Sequence, residues 1–235
     1  GTLFLGIFFI ALRIKKIFIA VVILMLLVFE LFYSFQKFNS FVPESYIYPK
    51  SEITQKLREI QGIDRVWGYG SANIDSEFQI IEKNYGTDGY NPLFSKHYGE
   101  LLSASVNGVV QKDPPRTVAN IKSGYGVNEL KQNYYRRRAL DLTGVKYLLN
   151  KKNDAGIDSA FDEVDYKLTW QNDGWQIYES LHYVPRIKMF GNYEVISDKK
   201  DTVKRLYDPK FDIQKTIILE NELVGFETSA TSSGS

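Results

Sequence analysis

The sequence predicts an α/β domain with a mixed sheet, preceded by a transmembrane helix. Three observations lead to this fold class. Residues 17–35 form an apolar run that contains one charge, Glu30. Helical periodicity and short strand-like runs then alternate along a more polar remainder, which is the pattern of an α/β domain. Two of the strand-like runs form a hairpin pattern, so the sheet includes antiparallel strands.

Residues 17–35 are predicted to cross a membrane. At about 1.5 Å per helical residue, the run covers nearly the hydrocarbon thickness of a bilayer. A buried core helix is one alternative, but such a helix normally carries a polar stripe, and residues 17–29 have none. A cleaved signal peptide is another, disfavoured by the length of the run and the bulky residues after it. We expect Glu30, near the outer end, to reach the interface or a neighbouring helix.

The basic residues around the run predict its orientation. Three precede the run and one closely follows it: Arg13, Lys15, Lys16 and then Lys37. The positive-inside rule therefore places the N-terminal end in the cytoplasm of a cell membrane and residues from about 36 onward outside it. The bilayer itself is the first predicted partner.

Five segments follow from this topology. Residues 1–12 are apolar and are interpreted as the end of a preceding membrane helix, and residues 13–16 as a cytoplasmic turn. The transmembrane helix occupies residues 17–35. Residues 36–226 form the extracytoplasmic domain, which at about 190 residues is large enough to bury a core. Residues 227–235 are small and polar and are interpreted as a linker or tail.

Composition excludes several functions. The chain has 235 residues, a formal net charge of +1 and no cysteine. Nucleic acid is not an expected partner, because phosphate binding needs an excess of basic residues. Disulfides and thiolate metal sites are excluded, and an outward-facing domain without disulfides is typical of a bacterial cell envelope.

The first half of the domain is predicted to begin with a helix and a strand. Ser51 is a candidate N-cap for a helix over residues 51–61, and a strand follows over 64–68. Residues 78–81 are predicted as a short strand, and residues 91–105 as a helix with Pro92 in its first turn. Residues 108–125 are rich in turn-forming residues and are interpreted as a long surface loop.

The second half is predicted to contain the hairpin. A helix is expected over residues 130–142, followed by a strand over 145–149. The segments 166–170 and 175–179 flank the sequence Gln-Asn-Asp-Gly, which is typical of a hairpin tip. Three further elements complete the prediction: a strand over 184–190, a helix over 198–206 with Asp198 as N-cap, and a strand over 216–220.

Three groups of polar residues are candidates for binding a ligand or a metal ion. Asp88 lies between glycines in the sequence Gly-Thr-Asp-Gly-Tyr, which suits either a close approach to a ligand or, more simply, a tight turn. His97 precedes Glu100 by three positions, a spacing that two metal ligands can use, but a surface histidine is the simpler interpretation. The run Arg136–Arg138 is expected to lie on a solvated helix face. No nucleophile motif is present, so no catalytic residue, cofactor site or metal site is predicted.

Tyrosines in polar segments are the remaining candidates for binding. Their flat apolar faces and hydroxyls suit a carbohydrate or lipid headgroup, although packing of a loop-rich domain is the simpler explanation. Four residues are predicted as ligand contacts: Arg65, Asp88, Tyr90 and Trp175.

Five phrases along the chain form an ordered series. They are RVWG (65–68), GYNPL (89–93), RALDLTGVKYLL (138–149), WQIYESLHYVPRIKMF (175–190) and YDPKFDIQKTIILE (207–220). Together, in this order, they resemble the YfhO-like family of bacterial multi-pass membrane proteins. Members of this family resemble C-type glycosyltransferases, which transfer a sugar from a polyprenyl-phosphate donor outside the membrane. The catalytic acid of that superfamily lies in an early extracytoplasmic loop, and no position here matches it.

The resemblance implies one function and leaves an alternative. The chain is expected to be the extracytoplasmic part of a glycosyltransferase-like membrane protein in cell-envelope glycosylation, where it supports acceptor binding or the shape of the cleft. Its partners would be a cell-envelope glycan or a polyprenyl-phosphate sugar. The alternative is a membrane-tethered binding or scaffold domain without catalytic activity. A soluble hydrolase would require residues 17–35 to be a cleaved signal.

Overall fold

The computed structural model describes residues 16–38, 43, 46, 51–90, 93–112, 118–121, 127–153, 160–223 and 225. It divides the chain into two compact units, Gly1–Lys50 and Ser51–Ser235. The predicted end of a preceding membrane helix, at residues 1–12, and the predicted tail, at 227–235, lie outside the described residues.

In the first unit, the structure describes the long helix α1 (Lys16–Phe38). From Phe18 onward none of its side chains is buried, and Phe29 is 72% exposed. An apolar surface of this size is unfavourable in water and favourable in lipid. Of the helices that the structure describes, α1 is the one that is long and apolar enough to cross a membrane.

The second unit mixes short helices and strands. In chain order it contains α2 (Glu52–Ile60), β1 (Arg65–Gly68), a 3₁₀ turn (Gly70–Ala72), α3 (Ser76–Ile81), β2 (Gly89–Tyr90), α4 (Lys96–Ser103), β3 (Val118–Ala119), α5 (Val127–Gln132), α6 (Tyr134–Leu142), β4 (Val145–Lys151), β5 (Tyr166–Gln171), β6 (Trp175–Ser180), β7 (Asn192–Val195), α7 (Lys199–Leu206) and β8 (Thr216–Leu219).

A four-stranded mixed sheet, in the order β1-β4-β6-β5, forms the centre of this unit. Strands β1 and β4 are parallel, whereas β6 is antiparallel to both of its neighbours, β4 and β5. The predicted hairpin is present at β5 and β6. At its tip, the Asn172 side chain accepts hydrogen bonds from the backbone N–H groups of Gly174 and Trp175.

Both faces of this sheet are covered. Leu148 and Leu149 are adjacent on β4, so their side chains point to opposite faces. Leu148 belongs to the larger core cluster, which includes Leu102 of α4 and Leu140 of α6. Leu149 belongs to a second cluster, which includes Leu57 of α2. The unit therefore has three layers, with the sheet in the middle.

Two small sheets lie outside the central one. Strands β2 and β3 form an antiparallel pair, and β7 and β8 form a parallel pair connected through α7. Helix α7 begins where Asp198 was expected to cap it, since the Asp198 carboxylate accepts hydrogen bonds from the N–H groups of Lys200 and Asp201.

Two predicted strands are wrong. Residues 78–81 belong to α3, in which the apolar side chains Ile80 and Ile81 are exposed and Gln79 is buried, its amide donating to the Ile74 carbonyl. Residues 184–190 form no strand. The Val184 N–H donates to the Asp141 carbonyl instead of to a neighbouring strand, and the next strand, β7, starts only at Asn192.

Two predicted helices have different bounds. The helix expected over residues 130–142 is divided into α5 and α6 at Asn133, whose side chain accepts a hydrogen bond from the Arg136 N–H. The helix expected over 91–105 begins at Lys96. Within the loop expected over 108–125, Val118 and Ala119 form strand β3.

The expected solvated face of Arg136–Arg138 is also wrong. Arg136 and Arg138 are buried. The Arg138 guanidinium donates hydrogen bonds to the backbone carbonyls of Leu206 and Phe211. It thereby links α6 to the end of α7.

Candidate functional site

Two of the predicted ligand contacts, Arg65 and Asp88, lie around one tyrosine. The Tyr98 hydroxyl donates a hydrogen bond of 2.6 Å to the Thr87 carbonyl. Burial raises the pKa of Tyr98 to about 12, and the charges of Arg65 and Asp88 act on it in opposite directions. The guanidinium of Arg65 also donates to the Thr143 carbonyl.

The Asp88 carboxylate has a structural task. Its Oδ1 accepts hydrogen bonds from the Ile121 N–H at 3.0 Å and from the Thr87 hydroxyl at 3.2 Å. Burial raises the pKa of Asp88 to about 6, and these two hydrogen bonds oppose the rise. Asp88 therefore fixes Ile121 against residues 86–89.

The other two predicted contacts do not join one site with Arg65. Tyr90 pairs with Val118 through β2 and β3. Trp175 pairs with Lys151 at one end of β4, whereas Arg65 pairs with Val145 at the other end. At about 3.3 Å per residue, the six residues between those ends span about 20 Å. The Lys151 ammonium lies 5.0 Å from the centre of the Trp175 ring, a cation–π contact.

A different concave surface lies between α4, α7 and β8. We call it the α4–α7 cleft, and it has a volume of about 390 Å³. Six aliphatic side chains contribute to its lining: Leu101, Ile196, Val203, Leu206, Ile218 and Leu219. Four residues add charged or titratable groups: His97, Glu100, Lys199 and Glu220. Tyr98 and Thr202 complete it.

A chain of polar contacts crosses the cleft between its two helices. The Lys199 ammonium of α7 lies 3.0 Å from Nε2 of His97 on α4. Nδ1 of His97 lies 3.2 Å from the Glu100 carboxylate. Because an ammonium can only donate, this geometry assigns Nε2 as the acceptor and Nδ1 as the protonated nitrogen of a neutral imidazole.

His97 is therefore part of a hydrogen-bonded surface network, in agreement with the simpler interpretation of its sequence. Among the residues that the structure describes, no three histidines, aspartates or glutamates are grouped closely enough to hold a metal ion.

Side-chain hydrogen bonds hold the helices of the cleft in place. The Tyr207 hydroxyl, just after α7, donates to the Leu101 carbonyl of α4 at 2.9 Å. Arg205 pairs with the Glu194 carboxylate of β7 through two hydrogen bonds, each of 2.9 Å. The cleft is thus a preformed feature, which is usual for sites that bind small molecules.

The hydroxyl groups that line the cleft form hydrogen bonds within the protein. The Tyr98 hydroxyl donates to a backbone carbonyl, and the Thr202 hydroxyl contacts the carbonyls of Ile196 and Asp198. Both hydroxyls are therefore bonded to backbone carbonyls of the unit.

Sequence reasoning missed this cleft because its lining comes from three separate segments. Residues 97–101, 196–206 and 218–220 lie far apart in the chain. The amphipathic patterns of α4 and α7 were visible, but nothing in either segment indicates that the two helices face each other.

No protein-family profile, curated protein or solved structure matches this chain. The resemblance to YfhO-like proteins therefore rests on the sequence phrases alone.

Proposed function

We propose that this chain is the extracytoplasmic, ligand-recognising part of a bacterial cell-envelope membrane protein that resembles polyprenyl-phosphate-sugar-dependent glycosyltransferases. The α4–α7 cleft is the site that takes the ligand. The observation that carries the proposal is the combination, in one preformed cleft, of an aliphatic lining with the polar chain Lys199–His97–Glu100.

The cleft supports a particular ligand chemistry. Its apolar lining consists mainly of aliphatic side chains, whereas sugar rings usually stack on aromatic faces. The hydrogen-bonding groups of Lys199 and His97 lie beside that lining. An amphiphile with a hydrocarbon part and an anionic or polar head fits this arrangement, and a lipid-linked sugar has that composition.

The extracytoplasmic location is part of the proposal and has its own test. Val164 is 78% exposed, and the chain contains no cysteine, so a Val164→Cys variant carries a single accessible thiol. In intact cells we expect a membrane-impermeant maleimide to label it without permeabilisation. Labelling that requires permeabilisation would place the domain in the cytoplasm.

The binding experiment uses the full chain in lipid nanodiscs, with undecaprenyl phosphate and a water-soluble oligosaccharide of cell-wall type as separate probes. We expect Lys199→Glu to weaken binding of the anionic lipid about tenfold, equivalent to about 1.4 kcal/mol. Lys200→Glu is the matched control, because Lys200 lies next to Lys199 on α7 but does not line the cleft.

The outcomes separate the candidate ligands. Binding of the lipid alone would indicate that the cleft takes the donor, and binding of the oligosaccharide alone would indicate the acceptor. If neither probe binds, or if both lysine variants behave identically, the cleft is not the site and the proposed function loses its support.

A second candidate function is a tethered scaffold without a transferase attached. It is favoured by the single span-capable helix among the described residues. Counting the membrane spans of the intact gene product separates the two, since a multi-pass protein is expected only for the first.

A further inference from the structure

The connection between β6 and β7 displays two strongly exposed apolar side chains. Ile187 is 80% exposed and Met189 is 96% exposed. Arg186 and Lys188 lie before and between them and Phe190 follows, so residues 186–189 alternate basic and apolar positions. We call residues 186–190 the basic-apolar loop.

Side-chain contacts hold this loop in one conformation. The Arg186 guanidinium donates a hydrogen bond of 2.8 Å to the Ile63 carbonyl and lies 4.8 Å from the centre of the Tyr85 ring. The Lys188 ammonium donates to the side-chain oxygen of Gln214. Because both cations are held against the body of the unit, Ile187 and Met189 project into solvent.

The Gln214 side chain strengthens the anchor at Lys188. Its amide nitrogen donates to the carbonyls of His182 at 2.7 Å and Tyr183 at 3.2 Å. The loop is therefore attached on both sides of Val184, whose own N–H is bonded to α6. A fixed conformation lets exposed side chains engage a surface without a large ordering cost.

The charges of the loop favour an anionic partner. Within the ranges that the structure describes, neither Arg186 nor Lys188 forms an ion pair with a carboxylate. Exposed aliphatic side chains next to basic groups are the combination that binds the interface of a membrane containing anionic lipid.

The length of the connector makes such a contact accessible. Residues 39–51 separate α1 from α2. Fully extended, these residues reach at most about 45 Å. A surface tethered at such a distance experiences an effective concentration on the order of millimolar, so even a weak lipid contact is populated.

We propose that the basic-apolar loop docks onto the headgroup region of an anionic bilayer, with Ile187 and Met189 inserted and the positive charges of Arg186 and Lys188, at the base of the loop, attracting lipid phosphates. The partner is lipid and not a sugar or a protein. This inference requires only that α1 spans a membrane, and it stands or falls independently of the ligand of the α4–α7 cleft.

The test uses the full chain, in which a Met189→Cys variant supplies one thiol for an environment-sensitive NBD label. We expect NBD emission to rise about twofold and to shift to the blue in nanodiscs that contain phosphatidylglycerol, and to be quenched by lipids with a shallow spin label. In phosphatidylcholine nanodiscs the rise should be clearly smaller, because the electrostatic attraction is absent.

Val164→Cys is the matched control. Val164 is 78% exposed but lies between Glu163 and Asp165, so a label there should stay in water. An added Ile187→Asp substitution should abolish the Met189 signal while thermal unfolding remains unchanged, since Ile187 makes little contact with the core.

Two results would overturn the proposal. Equal emission and quenching at positions 189 and 164 would show that the loop does not meet lipid. A Met189 signal that is independent of anionic lipid and grows with protein concentration would show that a second copy of the chain covers the loop instead.

Discussion

At the scale of single residues, two half-buried carboxyl groups, Asp141 and Asp88, make the stability of the domain depend on pH. Burial raises the pKa of Asp141 to about 7, against the opposing attraction of His182 and Arg138. Burial likewise raises the pKa of Asp88 to about 6. The usual value for both is 3.8, so the folded state binds protons that the unfolded state has already released.

This difference in bound protons sets the direction in which pH changes the free energy of unfolding. Between about pH 4 and pH 7 the folded state binds more protons than the unfolded state, so the free energy of unfolding falls as the pH rises. We expect Asp141→Asn to be more stable than the wild type at pH 8 by about 1–2 kcal/mol, and equally stable near pH 4. Thermal and denaturant unfolding at pH 4.5, 6 and 8 measures the difference. A variant less stable than wild type at pH 8 would show that the Asp141 charge is stabilised by its neighbours.

Two glycines with positive φ provide a second prediction at the scale of single residues. Gly144 has φ +72°, and an added Cβ would lie 2.9 Å from the Val184 carbonyl oxygen, whereas Gly62 has φ +56° and open space. An alanine at either site costs about 1–2 kcal/mol for the left-handed conformation. We expect Gly144→Ala to cost at least about 1 kcal/mol more than Gly62→Ala, because only at Gly144 must the 184–186 backbone move. Denaturant unfolding measures the loss of stability in each variant. Equal losses would contradict the close approach of the Val184 carbonyl to Gly144.

At the scale of elements, Arg138 joins α6 to the far side of the α4–α7 cleft. Its guanidinium donates to the carbonyls of Leu206, at the end of α7, and Phe211. Removing the donor leaves two buried acceptors without it, so we expect Arg138→Met to cost about 2–4 kcal/mol of stability. Arg137→Met is the matched control, since Arg137 donates to the carbonyls of Leu130 and Lys131 near the surface and should cost under about 1 kcal/mol.

Elements with local signals were predictable from the sequence. Ser51 and Asp198 cap α2 and α7 as expected, because a side-chain oxygen needs only the N–H groups of the next turn. The β5–β6 hairpin was predictable for the same reason, since Asn172 satisfies its own turn. Helix α1 follows from composition alone.

Elements that depend on distant partners were not predictable. Residues 184–190 carry a strand-like alternation, but no strand within the described ranges pairs with them, and Arg186 and Lys188 bond to other segments. Residues 78–81 look apolar, yet it is Gln79 that is buried, because its amide satisfies a backbone carbonyl. Arg136 and Arg138 were predicted to lie on a solvated helix face, because no residue near them in the sequence indicates which groups surround their side chains in the fold.

The candidate site, too, was only partly predictable from the sequence. Arg65 and Asp88 were predicted separately as ligand contacts, and the structure places both near Tyr98, which no local sequence signal indicated. Trp175 lies at the opposite end of β4, which the sequence phrases could not reveal. The α4–α7 cleft depends on the packing of three segments, and such packing is a property of the whole fold.

At the scale of the whole molecule, the second unit combines a well-supported sheet with a weaker one. The central strands β4 and β6 are paired on both edges and covered on both faces. Strands β7 and β8 form only a two-stranded sheet, in which Val195 and Ile217 are exposed. Two-stranded sheets depend on what packs against them, and here Arg205 of α7 bonds to the Glu194 carboxylate of β7.

Hydrogen exchange should therefore separate the two regions. We expect amides of β4 and β6 to exchange only through global unfolding, and amides of β7 and β8 to exchange about ten to a thousand times faster through a local opening that includes α7. Because β8 and α7 line the cleft, a bound ligand must slow exchange in these elements and leave β4 unchanged. Mass spectrometry with and without undecaprenyl phosphate measures both effects. Equal protection of the two sheets would mean that the unit opens as a single body, and the cleft would then have to be regarded as part of the rigid core.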